Sequence, residues 1–141
     1  MSALSILYIC IGNTCRSPMA EAITRGLGDD DVRAASAGLR PFGRIVSGTA
    51  RALTQLGYDA EGLSSKALDD VDLGDFDVIV SLLGPAGLSH LPANLGADLE
   101  AWPIPDPYGE DDEVYLATAR ELAKRIRLFL EDRAELELPI I

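Results

Sequence analysis

The sequence predicts an α/β fold of three layers, a three-layer sandwich in which a four-stranded parallel sheet carries helices on both faces. Short apolar stretches alternate along the chain with longer stretches in which apolar residues recur at helical spacing. This alternation is typical of parallel strands joined by right-handed helical crossovers. Residues 77–83 form a near-continuous apolar run, as expected for a parallel strand that is covered on both faces.

The first strand and the first helix enclose the stretch 10–18. Apolar residues 5–9 predict a buried strand before it, and residues 18–27 predict a helix after it. Pro18 suits the first helical position, where its missing N–H leaves no hydrogen bond unmade, and Gly28 is a suitable C-cap.

The rest of the chain supplies the other strands and helices. The final helix is the clearest of them, because its apolar residues form one stripe that should face the core. Prolines in the last strand favour an edge position or a strand end. The predicted elements are a second strand over 32–35, a turn at 36–38, a loop over 39–44, a second helix ending at Gly57, a helical turn within 68–73, a third strand over 77–83, a fourth strand over 102–104 and a final helix over 112–133, with the tail 135–141 left unassigned.

Length and composition limit the function classes. The 141 residues suffice for one hydrophobic core, so we expect residues 1–141 to form a single domain. The net charge of −11 opposes non-specific contact with nucleic acid or with an anionic membrane, and neither is an expected partner. No apolar stretch approaches the roughly 20 residues of a membrane span, and the start lacks a signal peptide's basic region and cleavage site. We therefore expect a cytoplasmic protein.

The stretch 10–18 reads Cys-Ile-Gly-Asn-Thr-Cys-Arg-Ser-Pro and predicts an oxyanion site. A loop from the carboxyl end of a strand to the amino end of a helix gathers backbone N–H groups in front of the positive end of the helix dipole. Gly12 permits close approach of the backbone, and Asn13 tolerates the left-handed conformation that a tight loop demands. The expected oxyanion-binding residues are Ile11, Gly12, Asn13, Thr14, Cys15 and Arg16.

Two side chains would make this loop reactive. Arg16 offers paired planar donors to a tetrahedral anion, and Cys10, at the end of the strand, lies in a field that favours its thiolate. Ser17 can donate its hydroxyl to that sulfur. Cys10 and Cys15 would form a poor structural disulfide in a reducing compartment, so reactivity explains them better. The alternative is an ordinary strand-to-helix turn with a buried cysteine and a surface arginine.

With Cys10, five intervening residues, Arg16 and Ser17, the loop resembles that of the low-molecular-weight protein tyrosine phosphatase superfamily, which also contains arsenate reductases. Ser36-Ala37-Gly38 and Asp106-Pro107-Tyr108-Gly109 resemble further landmarks of the superfamily and follow in the expected order. The resemblance covers nearly the whole chain. It implies the low-molecular-weight phosphatase fold and an enzyme with a cysteine nucleophile, and we expect no cofactor and no metal.

The resemblance implies roles for three residues outside the loop. Asp106 would be the general acid that protonates a leaving oxygen, Tyr108 would form a wall of the pocket, and the Ser36 hydroxyl would support Asn13. Each has a simpler alternative, since Asp-Pro and Ser-Ala-Gly are also common in turns. The acidic residues 110–113 most simply stabilise the start of the final helix.

Two arginines could line the pocket mouth. Arg40 and Arg44 lie in the loop over 39–44, and solvated surface arginines are an equally good interpretation.

The superfamily contains two chemistries that share this site. An arsenate reductase forms a thiol–arsenate adduct at Cys10, and a further thiol releases arsenite. A phosphatase acting on phosphotyrosine or phosphoarginine transfers phosphoryl to Cys10 and hydrolyses the phosphocysteine with Asp106 as acid. The short spacing from Leu83 to Asp106 resembles the reductase branch, whereas Thr14 resembles protein-arginine phosphatases. We favour the reductase, because connection length reflects architecture and a single loop residue varies more easily.

The expected partner of a reductase is a thiol reductant: thioredoxin, glutaredoxin or a low-molecular-weight thiol. Leu83 and His90 stand at the positions that we align with the relay cysteines of thioredoxin-coupled reductases, so no internal relay through them is possible. Cys15 remains a possible resolving thiol. A phosphatase would instead act on a phosphoprotein. A third class, a binding module that senses phosphate or redox state, would be expected to lack part of the catalytic set, and Cys10, Arg16, Ser17 and Asp106 are all present.

Overall fold

Four parallel strands form the central sheet, as the sequence predicts. They are β1 (Leu4–Cys10), β2 (Val32–Gly38), β3 (Val78–Ser81) and β4 (Asp98–Ala101), in the spatial order β2-β1-β3-β4. The structure is a computed structural model and describes residues 3–134 and residue 138. The predicted α/β class is confirmed.

Within residues 3–134, four helices connect and follow these strands. They are α1 (Arg16–Leu27), α2 (Ser47–Gln55), α3 (Pro85–Leu88) and α4 (Asp112–Arg133), and two 3₁₀ turns cover Leu68–Asp70 and Leu73–Asp75. The helical turn predicted within 68–73 corresponds to the first 3₁₀ turn. The sequence did not indicate α3, because four residues are too few to show helical periodicity.

The sheet separates two apolar clusters. Alternate residues of β1 point to opposite faces, so Ile6 and Tyr8 pack among residues of α1, α2 and α4, whereas Leu7 and Ile9 pack with Ile79 under the 3₁₀ turns and residues 91–97. The predicted stripe of α4 belongs to the first cluster. Its buried members are Tyr115, Ala119, Leu122, Ile126, Phe129 and Leu130.

Strand register brings the carboxyl ends of three strands together. Cys10 pairs with Gly38 of β2, and Ile9 pairs with Ser81 of β3. In a parallel sheet this edge is where ligands bind, because the connecting loops open there. The stretch 11–15 leaves β1 at this edge and enters α1.

The bounds of two elements differ from the predictions at the start of the chain. α1 begins at Arg16 rather than Pro18, so Pro18 is the third helical residue; its missing N–H is still one of the first four, which have no partner within a helix. β2 continues to Gly38, so the predicted turn at 36–38 is instead the end of the strand.

β4 covers Asp98–Ala101 instead of the predicted 102–104, which is a correction. Pro103 and Pro105 lack the N–H that a regular ladder needs, but Trp102 and Ile104 still donate to Ser81 O and Leu82 O at 2.8 and 3.1 Å. The extended chain after β4 therefore stays beside β3 and carries Asp106 to the edge of the sheet.

The unassigned tail 135–141 lies outside the described residues apart from Leu138, which packs against the first cluster. Among the helices within the described part of the chain, none has the length and apolar character needed to cross a membrane.

Candidate active site

The loop between β1 and α1 turns carbonyl oxygens outwards, where the segment after β2 binds them. Because a peptide unit is planar and trans, each outward carbonyl turns the following N–H the other way, towards the inside of the loop. The N–H groups of residues 11–13 therefore face one region, as an oxyanion site requires. Three backbone N–H groups donate to these oxygens at 2.8 to 3.1 Å: Leu39 to Cys10, Arg40 to Ile11 and Phe42 to Gly12.

Thr14 fixes the far end of the loop. Its hydroxyl donates to Arg44 O at 2.6 Å and accepts from the Val46 N–H at 3.0 Å, and the Thr49 hydroxyl donates to Thr14 O at 2.7 Å. These bonds tie the loop to the start of α2. The loop is held from both sides before any anion binds, so little ordering is left for binding to cost.

Asn13 adopts the left-handed conformation that the sequence predicts. Its φ is +49°, and among residues 3–134 and 138 it is the one non-glycine residue with a positive φ. The glycine that packing within the protein requires is Gly38, whereas the predicted close approach of Gly12 concerns a bound oxyanion. A Cβ on Gly38 would lie 2.7 Å from Ile11 O, whereas one on Gly12 would make ordinary contacts from 3.4 Å outwards. Space inside the protein therefore demands a glycine at 38, not at 12.

Cys10 and Ser17 are in direct contact. Ser17 Oγ lies 2.9 Å from Cys10 Sγ, and both residues are buried. Asn13 Nδ2 donates to Ser17 Oγ at 2.8 Å and to Ser36 Oγ at 2.9 Å. The structure thus brings Ser36 against Asn13, as the resemblance implies, and leaves the Ser17 hydroxyl proton free to point at the sulfur.

Arg16 has one part of its guanidinium engaged and one part open. Nη1 donates to Ile104 O at 2.9 Å and lies 3.4 Å from Leu82 O, which fixes the plane of the group. Nε is buried and has no hydrogen-bond partner among the described residues. A buried donor without an acceptor costs free energy, and a bound oxyanion would remove that cost. Nε and Nη2 form the paired edge that suits a tetrahedral anion.

Asp106 reaches the same pocket from the chain after β4. Its Oδ2 lies 3.5 Å from Arg16 Nη2, and its Oδ1 accepts from the Tyr108 N–H at 3.1 Å. One oxygen of Asp106 thus closes the turn that is the simpler interpretation of the Asp-Pro pair, and the other faces Arg16 in the pocket. The acidic stretch after it stabilises α4 as expected: Asp111 caps the helix by accepting from the Val114 N–H.

Aromatic rings form one side of the pocket. Tyr108 packs its ring edge against Phe42, with centroids 5.4 Å apart, and both rings are about half exposed. Phe42 was not among the predicted site residues, although an aromatic residue between Pro41 and Gly43, in the loop expected at the pocket mouth, is a signal for a pocket wall. The pocket has a volume of about 220 Å³, and its lining residues are Cys10, Ile11, Gly12, Thr14, Cys15, Arg16, Arg40, Phe42, Asp106 and Tyr108.

Cys15 lines this pocket but is only 1% exposed. Its thiol donates to Tyr115 Oη at 3.7 Å, and burial raises the pKa of Cys15 above that of a free thiol. Burial, together with the hydrogen bond from Cys15, also raises the pKa of Tyr115 to about 12. Cys15 is therefore held as a neutral thiol, and only a thiolate attacks readily.

The side chains of the two loop arginines occupy different positions. Arg40 lines the Cys10 pocket, whereas Arg44 is exposed and stacks over the Phe42 ring at 5.5 Å. Leu83 and His90, at the positions aligned with relay cysteines, line a neighbouring groove of about 450 Å³. Within the described residues no three His, Cys, Asp or Glu side chains gather in a way that could hold a metal ion.

The site therefore combines a buried sulfur beside a hydroxyl donor, converging N–H groups, an open guanidinium edge and an acidic side chain. This arrangement can bind a tetrahedral oxyanion, attack its central atom and protonate a departing oxygen. The comparisons with known proteins agree with it. Residues 5–137 match the sequence pattern of the family described as low molecular weight phosphotyrosine protein phosphatase.

Relatives of both chemistries are similar to this chain. The glutaredoxin arsenate reductase of Synechocystis is 28% identical over 86% of this chain and 92% of its own. The low molecular weight protein-tyrosine-phosphatase YfkJ of Bacillus subtilis is 33% identical over 79% of this chain and 86% of its own. The crystal structure of arsenate reductase from Archaeoglobus fulgidus matches with a TM-score of 0.79 and 30% identity, over 90% of this chain and 99% of that one.

The predicted resemblance is confirmed, and the members of this group are enzymes with a cysteine nucleophile. By the match of nearly its whole length, the chain belongs to the low molecular weight phosphotyrosine protein phosphatase family, in the superfamily that includes the arsenate reductases.

Proposed function

We propose that the protein is an arsenate reductase in which Cys10 attacks bound arsenate and a thiol from another molecule releases arsenite. The relatives include reductases and phosphatases at similar identity, so they do not decide between the two. The observation that carries the choice is the compact connection between β3 and β4. It contains one helix of four residues, and the chain reaches Asp106 soon after β4 ends, a short spacing that resembles the reductase branch.

The first step uses residues already in contact. Arsenate would occupy the loop, with its oxygens on the N–H groups and on Nε and Nη2 of Arg16. The Cys10 thiolate would form a bond to arsenic while an oxygen leaves as water, and Asp106 would supply the proton. Ser17 would stabilise the sulfur before attack, because a hydroxyl hydrogen bond to an anion is a strong one.

The second step needs another sulfur. A thiolate would attack Cys10 Sγ and form a disulfide, and the electron pair of the breaking S–As bond would pass to arsenic, which leaves as arsenite. Since burial raises the pKa of Cys15, we expect the attacking thiol to come from outside: thioredoxin, glutaredoxin or a low-molecular-weight thiol. A second thiol would then free Cys10. We also propose that the enzyme works in the cytoplasm, where such thiols are kept reduced.

One observation favours a phosphatase as the second candidate. Phe42 and Tyr108 form an aromatic wall beside Asp106, and a bare oxyanion makes no use of it. The aryl group of a phosphotyrosine would pack there, and Asp106 would protonate the departing phenoxide. For this reaction Asp106→Asn should slow turnover by about 10² to 10⁴.

The deciding experiment supplies purified protein with arsenate and, separately, with thioredoxin, glutaredoxin or low-molecular-weight thiols, and measures arsenite. Parallel reactions contain an aryl phosphate or phosphopeptides with phosphotyrosine or phosphoarginine. Thiol-dependent arsenite formation that is lost in Cys10→Ser supports the reductase. If no reductant supports arsenite formation while a phosphopeptide reacts with kcat/KM above about 10⁴ M⁻¹s⁻¹, the phosphatase is the correct assignment.

A further inference from the structure

We infer that Glu21 is a positioning residue for Cys10. Its carboxylate accepts a hydrogen bond from the Ser36 hydroxyl and so sets the direction of a series of hydrogen bonds that runs through Asn13. In that direction the Ser17 hydroxyl is left to donate to the Cys10 sulfur. Glu21 lies on α1, one helical turn after Ser17, and is only 3% exposed. The role does not depend on which oxyanion reacts, because both proposed reactions start from the same sulfur.

Lys66 fixes the donor–acceptor direction of this series of hydrogen bonds at one end. The backbone N–H of Lys66 donates to the Asn13 side chain at 2.8 Å. A backbone N–H can only donate, so the atom that faces it must be the Asn13 amide oxygen. The Asn13 amide nitrogen therefore faces the two serines, and each of its two protons has one acceptor, Ser17 Oγ at 2.8 Å and Ser36 Oγ at 2.9 Å.

The two serine hydroxyls keep their own protons for other acceptors. Ser36 Oγ lies 2.6 Å from Glu21 Oε1, and an ionised carboxylate only accepts, so Ser36 donates there. Ser17 Oγ, which already accepts from Asn13, has Cys10 Sγ at 2.9 Å as the acceptor for its proton. The series of hydrogen bonds therefore has two fixed ends, a donor at Lys66 and an acceptor at Glu21. The Ser17 hydroxyl is left to donate its hydrogen bond to Cys10 Sγ.

The opposite direction is the state that Glu21 opposes. If the Asn13 amide turned over, its oxygen would accept from both serines, and Ser17 would no longer donate to the sulfur. Ser36 would then donate to Asn13 instead of to Glu21, and a buried carboxylate oxygen would be left without a donor, which is costly. Turning the amide over also costs the hydrogen bond from the Lys66 N–H. Removing the carboxylate leaves that bond as the single opposing interaction of the two, so the reversed direction becomes more populated and the Cys10 sulfur loses its hydrogen bond more often.

The surroundings keep Glu21 in place. Its second oxygen is paired with Arg25 Nη2 at 2.5 Å, and Arg25, half exposed, also donates to Ala34 O at 3.3 Å. The Lys66 ammonium binds Ser36 O at 3.2 Å and Ser64 O at 3.1 Å. Glu21 therefore has a fixed partner for each of its two oxygens, the Ser36 hydroxyl for one and the Arg25 guanidinium for the other.

The test measures the sulfur directly and needs no substrate, so its outcome is independent of the proposed function. Iodoacetamide reacts with thiolates, and the rate of Cys10 alkylation at pH 7 can be followed by peptide mass spectrometry. Glu21→Met keeps the volume and removes the acceptor, and we expect about tenfold slower alkylation from the loss of one hydrogen bond to a charged group. Glu21→Gln, whose amide oxygen can still accept from Ser36, should restore most of the rate.

A double substitution separates positioning from general stability. Ser17→Ala removes the last link, so Glu21→Met should cause no further slowing in that background. Ala22→Gly, a buried neighbour on the same helix, should lower the melting temperature without slowing alkylation. Wild-type alkylation of Glu21→Met, or equal slowing with and without Ser17, would overturn the inference. Should Glu21→Met fail to fold, Ser36→Ala interrupts the same series of hydrogen bonds and must give the same slowing; a wild-type rate there would equally refute it.

Discussion

Arg16 and Asp106 meet on the wall of the Cys10 pocket, with Arg16 Nη2 3.5 Å from Asp106 Oδ2. Arg16 is 5% exposed and its Nη1 is held by backbone carbonyl groups, whereas the Asp106 side chain is about half exposed. The arginine is therefore the fixed partner and the aspartate the movable one. An oxyanion that binds the open edge of Arg16 would compete with Asp106 for the guanidinium and leave the acid to face a departing oxygen.

Arg16→Lys should weaken both binding and chemistry although it conserves the charge. A compact ammonium lacks the planar fork by which Arg16 donates to the carbonyl of Ile104 with one nitrogen and presents two others side by side to an oxyanion. We expect kcat/KM to fall by about 10² to 10³, and inorganic phosphate to become a weaker competitive inhibitor. Arg51→Lys is the matched control, since Arg51 pairs with Asp112 on the exposed surface. An unchanged kcat/KM in Arg16→Lys would refute the assignment.

Cys10→Ser should separate binding from reaction. The N–H groups of the loop and Arg16 are left in place, so phosphate should still bind with near wild-type affinity in calorimetry. Turnover of arsenate or of a phosphoester should fall by more than about 10³, because a serine hydroxyl is a far weaker nucleophile than a thiolate. Steady-state activity close to wild type would show that Cys10 is not the nucleophile.

The strand-loop-helix core of the site follows from short-range signals. Residues 5–27 contain the signals for a buried strand, for a loop with glycine and asparagine and for the start of a helix. The left-handed conformation of Asn13 follows from the same stretch. What depends on distant parts of the chain could not be read in this way. Glu21 looks like any polar residue in a helix, and its burial follows from the approach of Ser36 on β2.

Local chemistry also misled the prediction of β4. Trp102 and Ile104 alternate with prolines and are typical of a short strand, whereas the regular pairing with β3 occurs just before them, through a stretch that includes the polar residues Asp98 and Glu100. Their apolar pattern is weak because β4 is an edge strand that buries little of its surface. Which residues of an edge strand pair with the sheet depends on the strand beside it, and the local sequence of β4 does not show where that strand lies.

Tyr115 should make the protein less stable on the alkaline side. Its pKa is raised to about 12, chiefly by burial, whereas an unfolded tyrosine ionises near 10. The neutral phenol therefore stabilises the fold fully below about pH 10, and this contribution is lost as the pH rises towards 12. Burial raises the pKa of Cys15 as well, so its loss starts earlier, near the pKa of an unfolded thiol.

The measurement is urea unfolding at pH 8, 10 and 11 for the wild type and Tyr115→Phe. The variant should lose less stability than the wild type between pH 10 and 11, because it has no phenol to ionise at that position. Burial also raises the pKa of Tyr8, so some alkaline loss remains in the variant, and Tyr8→Phe should reduce it further. Equal losses in wild type and Tyr115→Phe would contradict the prediction.

Gly38→Ala should displace the backbone of the oxyanion loop, because Gly38 packs against the loop on the side away from the pocket. Gly38 ends β2 beside Cys10, and a Cβ there would lie 2.7 Å from Ile11 O and 2.9 Å from Asn13 N. Both contacts are closer than real Cβ atoms allow, and backbone atoms cannot swing aside as a flexible side chain does. The loop must move, which we expect to cost about 1 to 3 kcal/mol of stability and to weaken phosphate binding at least about tenfold.

Gly96→Ala is the control that separates loop position from the mere addition of a methyl group. No atom lies within 4 Å of a Cβ built at Gly96, and its φ is not in the left-handed region, so neither stability nor binding should change. If loop position is what matters, Gly38→Ala should also slow Cys10 alkylation, because Asn13 and the Ser17 that it orients move with the loop. A Gly38→Ala protein that loses stability but binds phosphate with wild-type affinity would show that the oxyanion site does not depend on this contact.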